Sequence, residues 1–598
     1  PESGGISGEG ATNSGAGGGD PQLSLSAVVQ AVFEAHRAGR AAAASDDDRG
    51  GGAPDRGSVS DATRSFRGRR RHQSESGADP IPSQTASGVS TVSFAASRRD
   101  EGDVDSGFAF GSIMHITNSF AVVDALRPWK VDNPSMATGT GFYIGDNRIL
   151  TNAHVVQHAT SLRVRRHGVP GNFEARVLCE SGACDLAVLT VDQGHFFDDV
   201  PVVEFQDTIP SLDDTVVVVG YPMNATTVTL TRGVVSNVHL ADLSGTLFGV
   251  PQQMCVQVDA AINGGNSGGP VYNQLTHEVV GVAHAKMDNA EGIGYVIPTP
   301  VIRNFLAVFD KTGDFEALPS IGLETADLVN KSLRQWAFGG AEAPIHNDGL
   351  LVSRVLPFSS GQRAGLRAGD ILMAVSGSKI SEEGEIIFRG HERVSWTYEV
   401  TRRAIGDSIT LNVLRKNGDG IAVPIEVKVT LAARFDLVKP ELGKGGFKTM
   451  HYMVIGGLVM VAASDPLIQA CVAAESAVGD LMYNTVIDIS EQEWECTDKA
   501  AEGVVVSDCL AHEINVSYQE FIAQQVVSIN KIKVRNLRHA AELVVSNKDP
   551  FLIIEFKKTK RQVVFDVSTI LDATPVILKQ HKIPVWASYP DMSDALST

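Results

Sequence analysis

Apolar residues fall in short β-branched runs through the middle of the chain. Thr215-Val-Val-Val-Val-Gly220, Thr226-Thr-Val-Thr-Leu-Thr-Arg-Gly-Val-Val-Ser236 and Val279-Val-Gly-Val-Ala283 are examples, cut by Gly, Pro, Asn and Asp. From Phe108 to about Phe315 this pattern predicts an antiparallel barrel architecture. Residues 1–107 differ: they are rich in Gly, Ala, Ser and Asp, with almost no aromatic residues. Such a segment buries too little surface to offset its ordering entropy and is expected to be disordered. Within it, Leu25, Val28, Val29, Val32 and Phe33 suit one face of a helix over Leu23–His36. That helix is read as transient, with a docking helix or the remnant of a leader as alternatives. After about Leu318 a new domain is expected to begin, opened by Ile321-Gly-Leu-Glu. Met453-Val-Ile-Gly-Gly-Leu-Val-Met-Val-Ala-Ala463 is the longest apolar run, but it is shorter than the ~18 residues of a membrane helix and carries two central glycines. It is expected to form a buried strand pair.

The length of 598 residues exceeds one hydrophobic core. The formal charge of −19 argues against general binding of nucleic acid, which needs basic patches on phosphates. Arg67-Gly-Arg-Arg-Arg-His72 is the exception; a solvated basic run is the bland reading, a nuclear signal, processing site or polyanion contact the sharp one. The six cysteines show no zinc-ligand spacing, so neither metal nor cofactor is expected. Cys179 and Cys184 are near enough to bridge, and two reduced thiols are the favoured reading. The chain begins at Pro1, so a leader is expected to lie outside it, and the compartment is open between organelle and nucleus.

The stretch that carries chemistry is Asn263-Gly264-Gly265-Asn266-Ser267-Gly268-Gly269-Pro270. A serine between glycine pairs suits a tight turn whose bare backbone lets the N–H groups of Gly265 and Ser267, with help from Asn266, converge on a developing oxyanion. Ser267 is then the nucleophile, and it needs a base held by a third group. His154, after the apolar Arg148-Ile-Leu-Thr151, is the base candidate. Asp185 heads the apolar Leu186-Ala-Val-Leu189, where an unpaired carboxylate would be costly. The order His, Asp, Ser is that of the chymotrypsin arrangement. Ile262, five residues before Ser267, is placed beside the specificity pocket or simply in the core, and no acid there would receive a basic side chain. Ala283, His284 and Ala285 are expected to pair with substrate backbone as a strand edge. His284 is read as a substrate-side or structural histidine, and the loop from Lys286 to Gly292 as one that orders on activation.

Thr138-Gly-Thr-Gly-Phe142, Leu150-Thr-Asn-Ala-His154-Val-Val156, Cys184-Asp185-Leu-Ala187, Gly220-Tyr-Pro222, Asp259 through Pro270 and Gly292-Ile-Gly-Tyr-Val-Ile-Pro298 together resemble the HtrA/DegP proteases. The resemblance implies a mainly β chain: a chymotrypsin-like double β-barrel at 108–317 acting on unfolded or damaged protein without ATP. It also implies that Ile262 lines a small pocket for Val, Ala or Ile before the scissile bond. Gly349-Leu-Leu-Val-Ser-Arg-Val355 and Ala364-Gly-Leu-Arg-Ala-Gly-Asp370 resemble a PDZ domain at 318–436, whose peptide-binding residues would be Gly349, Leu350 and Leu351, with a carboxylate site at Asn347 to Leu350. Asp348 would repel a free carboxylate there, so an internal peptide or a neighbouring subunit is an equal candidate. Glu385–Val394 and the segment 437–598, a degenerate second PDZ, resemble plant Deg-type members. The family further implies trimers, hexamers or larger homo-oligomers, with Phe108-Ala-Phe110 at the trimer contact. A chaperone or scaffold with a mostly latent site is the second reading; an esterase is a weak third.

Overall fold

A computed structural model describes residues 107–222, 225–244, 251–286, 293–338, 348–440, 449–474, 476–559 and 561–592. The helix expected at Leu23–His36, the basic run at 67–72, Asn347 and most of the loop after Lys286 lie outside these residues. Among the described residues no helix is long and apolar enough to cross a membrane.

The β-branched runs become two closed six-stranded barrels. The first contains β1 (Ile113–Phe120), β2 (Ser135–Gly145), β3 (Arg148–Thr151), β4 (Ala159–Arg166), β5 (Phe173–Ser181) and β6 (Leu186–Thr190), closed in the order β1-β2-β3-β6-β5-β4. The second contains β7 (Thr215–Gly220), β8 (Thr229–Ala241), β9 (Gln253–Val258), β10 (Pro270–Asn273), β11 (Val279–Lys286) and β12 (Gly294–Pro298), in the order β10-β11-β12-β9-β8-β7. Closure removes the free edges that such apolar strands would otherwise expose. The short helix α1 (Ala153–Val156) follows β3, and α2 (Thr299–Thr312) follows β12 and ends at Gly313 in the left-handed region.

Beyond the barrels, β13 (Leu323–Asp327), β14 (Leu350–Val355) and β15 (Ile371–Val375) form half of a sheet in the order β13-β14-β15-β19-β20. Here β19 is Ser408–Lys416 and β20 is Ala422–Thr430; β16 (Ser378–Lys379) pairs with β15, while β17 (Glu385–Arg389) and β18 (Glu392–Ser395) form a separate hairpin. One continuous apolar cluster runs from the second barrel, through Val256 and Val296, into this sheet at Leu350, Leu372 and Val413. Arg389 fastens the hairpin to the barrel by donating to the carbonyls of Ile209 and Pro210, both at 2.7 Å.

The C-terminal segment holds a three-stranded and a four-stranded sheet. The expected strand pair at Met453–Ala463 is present as Tyr452–Ile455 against Leu458–Ala462, turning through Gly456 and Gly457 at φ 59° and 89°. A side chain at Gly457 would collide with the Asn515 amide at 2.2 Å, so the turn needs glycine for space as well as torsion. This segment touches the first barrel: Arg127 pairs with Asp508 at 2.6 Å, and Ser507 donates to the Leu126 carbonyl at 2.9 Å. Phe108 packs on Tyr272 and His277 of its own chain at ring distances of 5.2 and 4.8 Å.

Candidate active site

The two barrels bring His154, Asp185 and Ser267 to one place. His154 sits on α1, one turn past the end of β3, and Asp185 occupies the turn between β5 and β6 with φ 49°. Aspartate tolerates that left-handed backbone better than most residues. The Asp185 carbonyl accepts from Asn152 Nδ2 at 2.9 Å, and its Oδ1 accepts the His154 backbone N–H at 2.9 Å. Its Oδ2 accepts from His154 Nδ1 at 2.7 Å. The carboxylate is therefore oriented by backbone before it orients the imidazole.

A second imidazole reaches the same oxygen. His284 Nδ1 lies 2.6 Å from Asp185 Oδ2, and its ring stands edge-on to His154 with centroids 5.7 Å apart. This is a partner that sequence reasoning missed: the two residues are far apart in the chain, and no ligand-like spacing marks them. With Asp185 ionised, each ring donates from Nδ1, and a neutral ring then has Nε2 as its acceptor. Burial opposes the Asp185 charge, but the charge and hydrogen bond of His154, then the bond and charge of His284, hold the carboxyl well below the usual range. Burial likewise disfavours a protonated His154, yet the Asp185 charge and hydrogen bond outweigh it and raise the value above 6.5.

Ser267 arrives from the second barrel on the loop before β10. Gly268, at φ 84°, has no room for a side chain: a Cβ would lie 2.1 Å from the Thr140 carbonyl. The loop is braced by the first barrel through Thr140. The Thr140 N–H donates to the Ser267 carbonyl at 2.9 Å, and Thr140 Oγ1 donates to the Gly265 carbonyl at 2.7 Å while accepting from the Tyr221 N–H at 2.9 Å. The Ser267 hydroxyl donates to the His284 carbonyl at 2.7 Å, and no hydrogen bond to His154 is made among the described residues.

Several expected site residues stand differently from the sequence reading. The Asn266 N–H donates to the Asn263 carbonyl at 3.0 Å, so it cannot serve an oxyanion; the N–H groups of Gly265 and Ser267 donate to no described residue. Ala283 is saturated, its N–H on the Gly269 carbonyl and its carbonyl on the Gly268 N–H, both at 2.9 Å, so its backbone cannot pair with a peptide. The edge opens beyond it, at His284 and Ala285, where the pairing register of β11 with β12 shifts. Ile262 is only 2% exposed and packs in the second barrel's core beside Gly294. Leu350 and Leu351 are buried, and β14 is hydrogen-bonded to β13 on one side and β15 on the other. The Gly349 N–H is held by the Ile380 carbonyl at 2.8 Å. Gly349, Leu350 and Leu351 therefore cannot accept an added strand, because both edges are filled; β13 is the outer strand of that sheet.

Comparison with known proteins agrees with this architecture. A family model described as a trypsin-like peptidase domain matches residues 139–282, and one described as a PDZ domain matches 445–590. The chain is 32% identical over 464 residues to "Protease Do-like 2, chloroplastic" of Arabidopsis thaliana, covering 77% of this chain and 72% of that protein. It is 33% identical over 480 residues to "Putative protease Do-like 3, mitochondrial" of the same plant, covering 80% and 79%. Among solved structures, "HtrA-type protease AlgW with decapeptide" is similar at 21% identity and a TM-score of 0.41, over 55% of this chain and 97% of that one. Identity sustained over most of both chains, together with a trypsin-like domain and a PDZ domain, shows that this chain belongs to the Deg/HtrA family of serine proteases and is of the plant type.

Proposed function

We propose that the chain is an ATP-independent endopeptidase that cleaves unfolded or damaged protein through an acyl-enzyme, with Ser267 as nucleophile. The observation that carries this reading is the His154–Asp185 pair at 2.7 Å, facing a glycine-framed serine delivered from the opposite barrel. In the reaction His154 Nε2 takes the Ser267 proton as Oγ attacks a peptide carbonyl, and Asp185 steadies the imidazolium. The N–H groups of Gly265 and Ser267 receive the oxyanion. His154 then protonates the leaving amine, and water releases the acyl group. The extended substrate pairs with the open edge at His284 and Ala285, and Val, Ala or Ile fills the pocket that Ile262 bounds.

The residues divide into 108–317 for catalysis, 318–436 for peptide docking and 437–598 for assembly, with 1–107 outside these modules. A docked peptide adds to β13, the outer strand of its sheet, by β-augmentation. The working form is a homo-oligomer, trimeric or larger, and the relatives named chloroplastic and mitochondrial support an organelle compartment.

A second reading, a chaperone or scaffold with a mostly latent site, is favoured by one observation. The Ser267 hydroxyl is bonded to the His284 carbonyl rather than to His154. Incubating an unfolded protein with the chain and with Ser267→Ala, then sequencing the product ends, separates the two. Cleavage after Val, Ala or Ile that the substitution abolishes supports the endopeptidase. Negligible cleavage with aggregation still suppressed by Ser267→Ala supports the scaffold.

A further inference from the structure

We propose that His154, Asp185 and His284 form a binding site for one divalent transition-metal ion of the zinc type, and that the bound ion holds the catalytic site shut. Each residue offers one ligand atom, and these atoms lie within 4.8 Å of one another. Two imidazole nitrogens and one carboxylate oxygen match three-ligand zinc sites that keep an open fourth position for water. Calcium and magnesium want oxygen-rich shells and are excluded by the same donor set.

The surroundings favour a cation. Asp185 has only 6% of its side chain exposed, and its ligand orientation is set by the His154 N–H on Oδ1. Such outer contacts fix and tune a metal ligand. The way in lies past His154, whose side chain is 42% exposed, towards His284 at 12%. Burial pushes the Cys255 and Cys471 thiols up to about 12 and Cys509 to about 11, so thiolate is scarce at these three.

Tetrahedral bonds of about 2.1 Å set neighbouring ligand atoms about 3.4 Å apart. The ion therefore replaces both N–H···O bonds and spreads each pair from the present 2.7 and 2.6 Å, a movement the exposed His154 ring accommodates. Coordination through Nδ1 leaves each imidazole with its hydrogen on Nε2. That tautomer change is the inhibitory step: Nε2 of His154 then carries a hydrogen and has no lone pair for the Ser267 proton. The inhibition rests on the proposed catalytic role of His154; the binding does not.

The test uses the full chain carrying Ser267→Ala, which cannot digest itself, titrated with Co2+ as a spectroscopic substitute for Zn2+. One ion per chain is expected, with visible bands of tetrahedral intensity and no thiolate charge-transfer band. Adding His284→Gln should weaken binding at least about 10-fold. Should that variant fail to fold, X-ray absorption at the zinc edge of the Ser267→Ala chain must count two imidazoles. Weak octahedral bands, a thiolate band, fewer than two imidazoles, or affinity unchanged by His284→Gln overturns the site. Tetrahedral binding without chelator-reversible inhibition of the unsubstituted chain overturns the shutting role and counts against His154 as base.

Discussion

Replacing Thr140 by valine should damage the active site from outside it. Thr140 is fully buried, and its hydroxyl bridges the Gly265 carbonyl at 2.7 Å and the Tyr221 N–H at 2.9 Å. Valine fills nearly the same space but leaves one acceptor and one donor buried without partners. Each such group costs roughly 1–3 kcal/mol, so the loss should be about 2–6 kcal/mol. For a unit of 150–250 residues that is a fall in Tm of about 4–24 °C. Because Gly265 is one of the proposed oxyanion donors, part of the loss should also reach the transition state. Each 1.4 kcal/mol felt there lowers kcat/KM about tenfold, so a reduction of about 10- to 100-fold is expected. The assay is a thermal melt on the Ser267→Ala background and kcat/KM for a fluorogenic peptide on the active background. Thr140→Ser restores the hydroxyl and should recover most of both. If Thr140→Val matches the parent in melting and in rate, the first barrel does not brace the serine loop.

The kcat/KM should rise with pH through a single ionisation whose midpoint lies above 6.5, since His154 must be neutral to act and its value is raised. Asp185, held well below the usual carboxyl range, adds no second limb between pH 4 and 7; a flat neutral profile contradicts the base assignment. The same shift makes protonated His154 a stabilising group below its unfolded value of 6.5, a contribution lost as pH rises through the folded value, which melts of Ser267→Ala against pH will show or refute. Ile262→Ala should cost about 2–5 kcal/mol of stability, as core truncations do, and move cuts towards bulkier residues; unchanged product ends would make Ile262 a core residue only. Arg389→Ala removes both hydrogen bonds to Ile209 and Pro210, so amide exchange in Glu385–Ser395 should quicken about tenfold or more, at 1.4 kcal/mol per tenfold, and equal exchange would show that the hairpin is held by apolar contact alone.

The barrels were legible because β-branched alternation and turn residues act locally, and His154, Asp185 and Ser267 because each lies in a short motif with its own physical reason. His284 was not. Its meeting with Asp185 depends on how the second barrel's β11 is set against the first, which no local spacing encodes. The PDZ assignment to Gly349–Leu351 failed for a related reason: alternation marks β14 as a strand but says nothing of its neighbours, and β13 occupies the edge that a peptide would need. Asn266 and Ala283 were misplaced at the level of single hydrogen bonds, where the turn consumes one amide and Gly269, just before β10, the other.

The role of Ser267 as nucleophile is tested by covalent labelling of the full chain with a fluorophosphonate, the adduct being mapped by mass spectrometry in the presence of an unfolded protein. One adduct is expected, on Ser267, absent from His154→Ala. No adduct on the unsubstituted chain, or one that persists in Ser267→Ala, would contradict it.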